Sequence, residues 1–538
     1  MAATSTAPPS VLDTPSSAPS ASSSTHTHIP EPGDIPGDFK SSLVAWWSSN
    51  GYRDARLAEE RLLRKMPFYT PSLRPESKSW FWNNASSASL PNETEDTPEQ
   101  GTGLVARVRK VFVPTPDPHA APPRPDVPAA SDVESISSGG SSKAAKRLSR
   151  VLHHDKERKG DYINTLEFTT PQTTGSREAV VVLHGYGAAQ GFFFKNWASV
   201  SRSAAATGRR TFFLDWLGMG LSSRPSSHLL SSKQHSVESR VATAEHFFLD
   251  SLENWRRQEG IDKMLLVGHS LGGYLSTAYA KRHPDRVSAL VLLSPVGFPH
   301  NPDGSTRPLP VGADGRKVDG IVAGSNDQAE AAVHKELGAD QANLQRTTSA
   351  GPATEATDRD EHIKGEARQW RNDSPSTYRK IATRSILWAW ERGLSPFSLM
   401  RSLGPWGPLL VGKYTMRRFS AQDPDDIRAL HAYIYGVTAM RGSGEYCISH
   451  LLAPGAYARM PLVERIAGLS VPVTFAYGDN DWMDVKGGND AQERLREAGN
   501  ADVHVKVVSG AGHHLYLDNP EETNQLIDEA IRAVPNRG

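Results

Sequence analysis

Apolar and polar positions along the 538-residue chain fall into distinct regimes. From residue 161 onward, the strand-like NTLEFTTP at Asn164 is followed by short, nearly continuous apolar runs at 179–183, 210–214, 264–267, 289–293, 471–477 and 503–508. Continuous rather than alternating hydrophobicity marks strands buried on both faces, the condition of a parallel sheet covered by helices on either side. Between these runs, apolar positions recur at helical spacing over 237–258, 274–283, 489–498 and 520–534. Strands alternating with helices predict the α/β class, with a mostly parallel, doubly wound sheet.

The alternation fails between residues 300 and 469, so the core is expected in two parts, 161–299 and 470–538. Within the interruption, 300–375 is polar and Gly-rich and reads as a flexible insertion. Residues 376–469 are helical and aromatic and read as a lid over the sheet. Ahead of the core, 1–36 is dominated by Ser, Pro, Thr and Ala and lacks the apolar area that would offset chain entropy, so it is expected to be disordered. Residues 37–85 form a Trp-bearing accessory region with a helical run at 55–65. A polar, largely disordered insertion is expected over 86–160, although GLVARVRKVFVP at 103–114 alternates like a short strand.

Charge narrows the partners. Lys plus Arg and Asp plus Glu both number 60, so no overall field draws the chain to nucleic acid. The single cysteine, Cys447, has no intramolecular disulfide partner, and no cluster of metal-ligand type surrounds it. No run approaches the roughly twenty apolar residues of a membrane span, so any membrane contact is expected to be peripheral. The N-terminal tract is Ser-rich and acid-poor like a transit peptide, yet its first arginine is Arg53, which leaves an import signal and a plain tail both open.

The chemistry concentrates in MLLVGHSLGGYLSTAYA, where a buried strand runs into Gly268-His269-Ser270-Leu271-Gly272 and a helix follows at once. A G-x-S-x-G turn in this context exposes the serine on a strained bend, with glycines where side chains would clash. A serine hydroxyl needs a base, and the base needs an acid to orient it. The loop after the last strand offers His513 and His514. His513 is the expected base because it directly follows the Gly510-Ala511-Gly512 turn. For the acid, Asp481 and Asp484 both follow the run at 471–477 and remain open, while Asp479 is expected to shape the turn. Oxyanion donors are expected from the backbone amides of Leu271 and of Tyr186, in the Gly-rich loop LHGYG. His184 is expected to brace that loop. No metal or organic cofactor is implied.

These motifs, together with HGYGAAQGFFFKNW, LDWLGMGLSSRP, GPWGPLLV, SGEY, PLVERI, YGDNDWMD and GAGHHLYLDNPEE, resemble the α/β-hydrolase-domain 4 and 5 branch of the α/β hydrolases. That branch includes N-acyl-phosphatidylethanolamine lipase, a lipid-droplet lipase co-activator and a fungal mitochondrial cardiolipin-specific deacylase. The resemblance implies a lipid ester hydrolase of phospholipase or lysophospholipase type, peripheral at a membrane or lipid droplet, with mitochondrial location expected and cytoplasm or lipid droplet as the alternative. It leaves open a lysophospholipid acyltransferase, for which the branch's H-x4-D pattern matches His513 and Asp518. A non-catalytic lipid-surface scaffold is the other reading, although retention of Ser270 opposes it. The lid aromatics Trp388, Trp390, Phe397, Trp406, Phe419, Tyr433 and Tyr435 suit an acyl-chain site, and adjacent Trp46 and Trp47 suit a water–lipid boundary. Arg401, Lys413, Arg417 and Arg418 are candidates for phosphate recognition.

Overall fold

Four apolar runs become the centre of one eight-stranded sheet in a computed structural model describing residues 29–69, 98–117, 160–299 and 390–535, with breaks at 228–229, 231–235, 392, 421 and 454. Strands β1 (Val105–Val113), β2 (Asp161–Thr169), β3 (Glu178–Leu183), β4 (Arg210–Leu214), β5 (Lys263–His269), β6 (Val287–Leu293), β7 (Val473–Gly478) and β8 (Val503–Val508) lie in the order β1-β2-β4-β3-β5-β6-β7-β8. β1 and β2 are antiparallel to their neighbours, and every later pairing is parallel. β3 and β4 are buried along their whole length, as continuous apolar runs require of strands covered on both faces.

Ten helices of seven residues or more accompany the sheet among the described residues: α1 (Phe39–Ser48), α2 (Gly51–Leu63), α3 (Trp197–Ala206), α4 (Val237–Gln258), α5 (Leu271–Arg282), α6 (Pro396–Ser402), α7 (Trp406–Arg418), α8 (Pro424–Ala439), α9 (Lys486–Glu497) and α10 (Pro520–Ala533). One core packs α4, α5 and α9 on one face of the sheet; the other packs α3 and α10 with α2, α7 and α8. The chain moves outward from β3 to β4 and then crosses back to place β5 on the other side of β3. That reversal makes the C-terminal ends of β3 and β5 the switch point where α/β sheets hold their ligands.

Within 86–160, the alternating stretch at 103–114 forms the strand its pattern suggests: β1 pairs with β2 along all nine of its residues, from Val105↔Thr169 to Val113↔Asp161. The local alternation at 103–114 outweighs the polar composition around it, because β2 offers an edge and a ladder satisfies both backbones. The segments 1–28, 70–97, 118–159 and 300–389, which hold most of the expected tail and insertions together with Trp388, lie outside the described residues.

The accessory region and the helices of 396–439 form one assembly. α2 crosses α8 so closely that a Cβ on Gly436 would stand 2.7 Å from the carbonyl oxygen of Gly51, so glycine is required there. α1 packs on α7: the Ser42 hydroxyl donates to the carbonyl of Pro405 and accepts from the amide of Leu409, and the ring of Phe39 meets that of Trp406 at 4.5 Å. No helix of the described residues is long and apolar enough to cross a membrane.

Candidate active site

β5 delivers its last residues into a sharp bend at which Ser270 adopts φ 52° and ψ −114°, outside the regions that side chains favour. Such a conformation costs on the order of 1–3 kcal/mol and persists only when its surroundings fix it. Here the amide of Ser270 donates to Leu293 on β6 at 2.9 Å, while the amides of Gly273, Tyr274 and Val296 converge on its carbonyl. Tight packing explains the flanking glycines: a Cβ on Gly268 would lie 2.5 Å from the carbonyl oxygen of Gly272 and 2.6 Å from the Ser276 hydroxyl.

The Ser270 hydroxyl stands 3.1 Å from His513 Nε2, and His513 Nδ1 stands 3.1 Å from Asp481 Oδ1. With the proton on Nδ1, the imidazole donates to the carboxylate and accepts from the serine. Asp481 is buried and also accepts the Met483 amide at 2.9 Å. Asp484 lies outside this chain of contacts; its carboxylate accepts the Lys486 amide at the start of α9.

The loop bearing His513 is held at several points. Asp479 accepts the amides of Gly510 and Ala511 at 2.9 and 3.0 Å. Asp518 accepts the amide of Gly512 at 3.0 Å, and its carboxylate forms a two-bond ion pair with Arg418 at the end of α7. His269 Nε2 donates to the His513 carbonyl at 2.9 Å. Burial drives the pKa values of His269 and His514 well below the ordinary imidazole value, so both stay neutral. His514 stacks on Phe192 and makes no hydrogen bond to Ser270.

Above the bend runs the loop from His184 to Gln190. A Cβ on Gly185 would lie 2.9 Å from Cβ of Ser270, so only a bare backbone can approach the nucleophile this closely. The amides of Leu271 and Tyr186 donate to no protein acceptor among the described residues. His184 secures the loop, donating from Nδ1 to the Gly185 carbonyl at 2.8 Å and accepting the Trp216 amide at Nε2, 3.1 Å away. Beneath it, Asp215 accepts the amides of Gln190 and Leu221, while Glu59 of α2 accepts from the side chains of Gln190 and Asn164. Burial raises the pKa of both carboxyls above the ordinary carboxylate range. A hydroxyl, an imidazole and a carboxylate in series beside two backbone donors constitute the equipment of acyl transfer through a covalent intermediate.

The sequence profile described as "alpha/beta hydrolase fold" matches residues 178–520. This chain belongs to the α/β-hydrolase family. Among curated relatives, the probable 1-acylglycerol-3-phosphate O-acyltransferase of Oryza sativa subsp. japonica is 28% identical over 69% of this chain and 70% of its own length. The (lyso)-N-acylphosphatidylethanolamine lipase of Bos taurus is 29% identical over 66% of this chain and 80% of its own. These relatives agree with the α/β-hydrolase-domain 4 and 5 branch. A bromoperoxidase structure from Bacillus anthracis is 13% identical, covering 70% of this chain and 97% of its own, with a TM-score of 0.38.

Within this α/β hydrolase, the structure brings Ser270, His513, Asp481, Leu271 and Tyr186 to one place and leaves Asp484 aside. Two cations expected to recognise phosphate are already occupied: Arg401 pairs with Glu445, and Arg418 with Asp518. Reading the sequence missed His269, Arg418 and Asp518 as supports of the His513 loop. Only the H-x4-D spacing pointed at Asp518. Among the described residues, no group of three His, Cys, Asp or Glu side chains is arranged to hold a metal ion.

Proposed function

We propose that the protein is a serine hydrolase of lipid acyl esters, of phospholipase or lysophospholipase type. The contact series from Ser270 through His513 to Asp481 carries this reading. Ser270 attacks the acyl carbonyl as His513 takes its proton; Asp481 stabilises the resulting imidazolium; the amides of Leu271 and Tyr186 receive the oxyanion. His513 then returns the proton to the leaving alcohol, and water activated by the same imidazole releases the acid. The relatives named for phosphate-bearing lipids support the substrate class. If a lysolipid alcohol replaces water, the same site transfers the acyl group.

Surface chemistry supports peripheral docking on lipid. Along α1, Phe39, Leu43, Trp46 and Trp47 are exposed at helical spacing, with Trp47 81% accessible, and Trp406 and Leu410 of α7 extend the apolar surface. The resemblance to the cardiolipin deacylase supports a mitochondrial membrane as the surface met. A fluorophosphonate probe is expected to label the protein and not Ser270→Ala, and the wild type is expected to release fatty acid from phospholipid vesicles. Absence of labelling in the folded wild type would overturn the assignment and favour the scaffold reading.

A further inference from the structure

We infer that Arg224 forms a subsite for the phosphate of the substrate headgroup, an inference that rests on the lipid ester hydrolase reading above. Arg224 follows the turn after β4 and lines a small, half-open cleft together with Gly187, Ala188, Phe397, Thr438 and Glu445. Its Nη atoms are held by backbone oxygens: Gly218 and Gly220 accept from it, and the Val437 carbonyl lies at 3.4 Å. Carbonyl groups satisfy N–H donors without neutralising the charge. No carboxylate of the described residues comes within ion-pair distance of the guanidinium, and its buried Nε has no partner. Burial disfavours its charged form, and the charges of Glu445 and Asp215, both beyond ion-pair distance, offset that only in part.

The one carboxylate on the cleft wall acts on Arg224 from beyond contact distance. Glu445 is committed to Arg401 and accepts the Ser395 hydroxyl at 2.7 Å. The cleft therefore borders a buried guanidinium with no carboxylate in contact, which suits an anion with several acceptor oxygens. Its position suits a phosphate ester of the substrate. Gly187 and Ala188 belong to the loop whose Gly185 touches Ser270, and two residues of chain reach at most about 7 Å. The cleft thus borders the loop that also carries the oxyanion donor Tyr186.

Two substitutions test the subsite. Arg224→Gln removes the charge. Thr438→Asp places a competing carboxylate on the cleft wall while leaving the carbonyl bonds of Arg224 in place, so it decides the matter if the first variant unfolds on thermal melting. Calorimetric titration of Ser270→Ala protein with glycerol 3-phosphate is expected to show saturable binding, weakened about tenfold or more by either added substitution. In the Ser270 enzyme, the kcat/KM ratio for a 1-acylglycerol 3-phosphate over the 1-acylglycerol of the same chain is expected to fall by a similar factor in each variant. Equal binding by all three titrated proteins, or equal loss on both lipids, overturns the subsite. So does inorganic phosphate binding as well as glycerol 3-phosphate with no preference between the lipids, because the cleft would then hold free phosphate. If the Ser270 enzyme cleaves neither lipid, the hydrolase reading fails, and the titration still decides the subsite.

Discussion

Asp481 and Asp484 show where local sequence stops being decisive. Both follow β7 within one helical turn of each other, and either spacing suits an acid that orients a histidine. The loop closes so that Asp481 is buried against His513 while Asp484 starts α9. Asp481→Asn is expected to lower kcat by about 10³–10⁴, because an amide no longer stabilises the imidazolium or enforces the tautomer. Asp484→Asn is expected to cost at most about 1 kcal/mol of stability and to leave kcat within a few-fold. Similar losses in the two variants would exchange their roles. Ser270 and His513 were legible because strand, bend and helix are continuous in sequence around the serine, and a Gly-rich turn directly precedes the base. His269 was not legible as a support, since its bond to the His513 carbonyl joins distant segments.

Elements with a clear period were read nearly to the residue, including β4, α4 and β8. Partnerships between distant elements were not. The α2–α8 crossing depends on glycines at 51 and 436, and neither carries a signal without the other. The same limit hid the Arg418–Asp518 pair, which ties the last turn of α7 to the amide of Gly512 beside the catalytic base. Removing one partner strands a largely buried charge and is expected to cost about 3–5 kcal/mol, read as a lower Tm in Arg418→Met. Arg418→Met combined with Asp518→Leu is expected to recover Tm but to lower kcat, because the Gly512 amide then loses its acceptor; an unchanged kcat would show that the strut has no part in turnover. On α1, Trp46→Ser with Trp47→Ser is expected to reduce sedimentation with phospholipid vesicles several-fold at unchanged Tm. Undiminished sedimentation would remove α1 from the docking surface.

Across the whole molecule, buried neutral histidines set the response to acid. Burial lowers His184 and His431 from 6.5 to about 4. A base whose folded-state value is depressed contributes stability above pH 6.5 that is lost as pH falls toward 4, because the unfolded chain binds protons that the folded one refuses. Each contributes about 3 kcal/mol over that window, so Tm is expected to drop steeply between pH 6.5 and 4. His431→Gln is expected to flatten the fall; an unchanged slope would show that His431 is not a source of it.

Nucleophile and base are 243 positions apart, and helices α6, α7 and α8 are threaded between them. During ribosomal synthesis, a chain that has passed Ser270 but not yet reached His513 holds a serine with no means of ionising it. The triad closes only when β7, β8 and the final loop dock, so this α/β hydrolase is inert for as long as it is being made, and a nonsense truncation anywhere downstream of β6 up to the base yields an inert product.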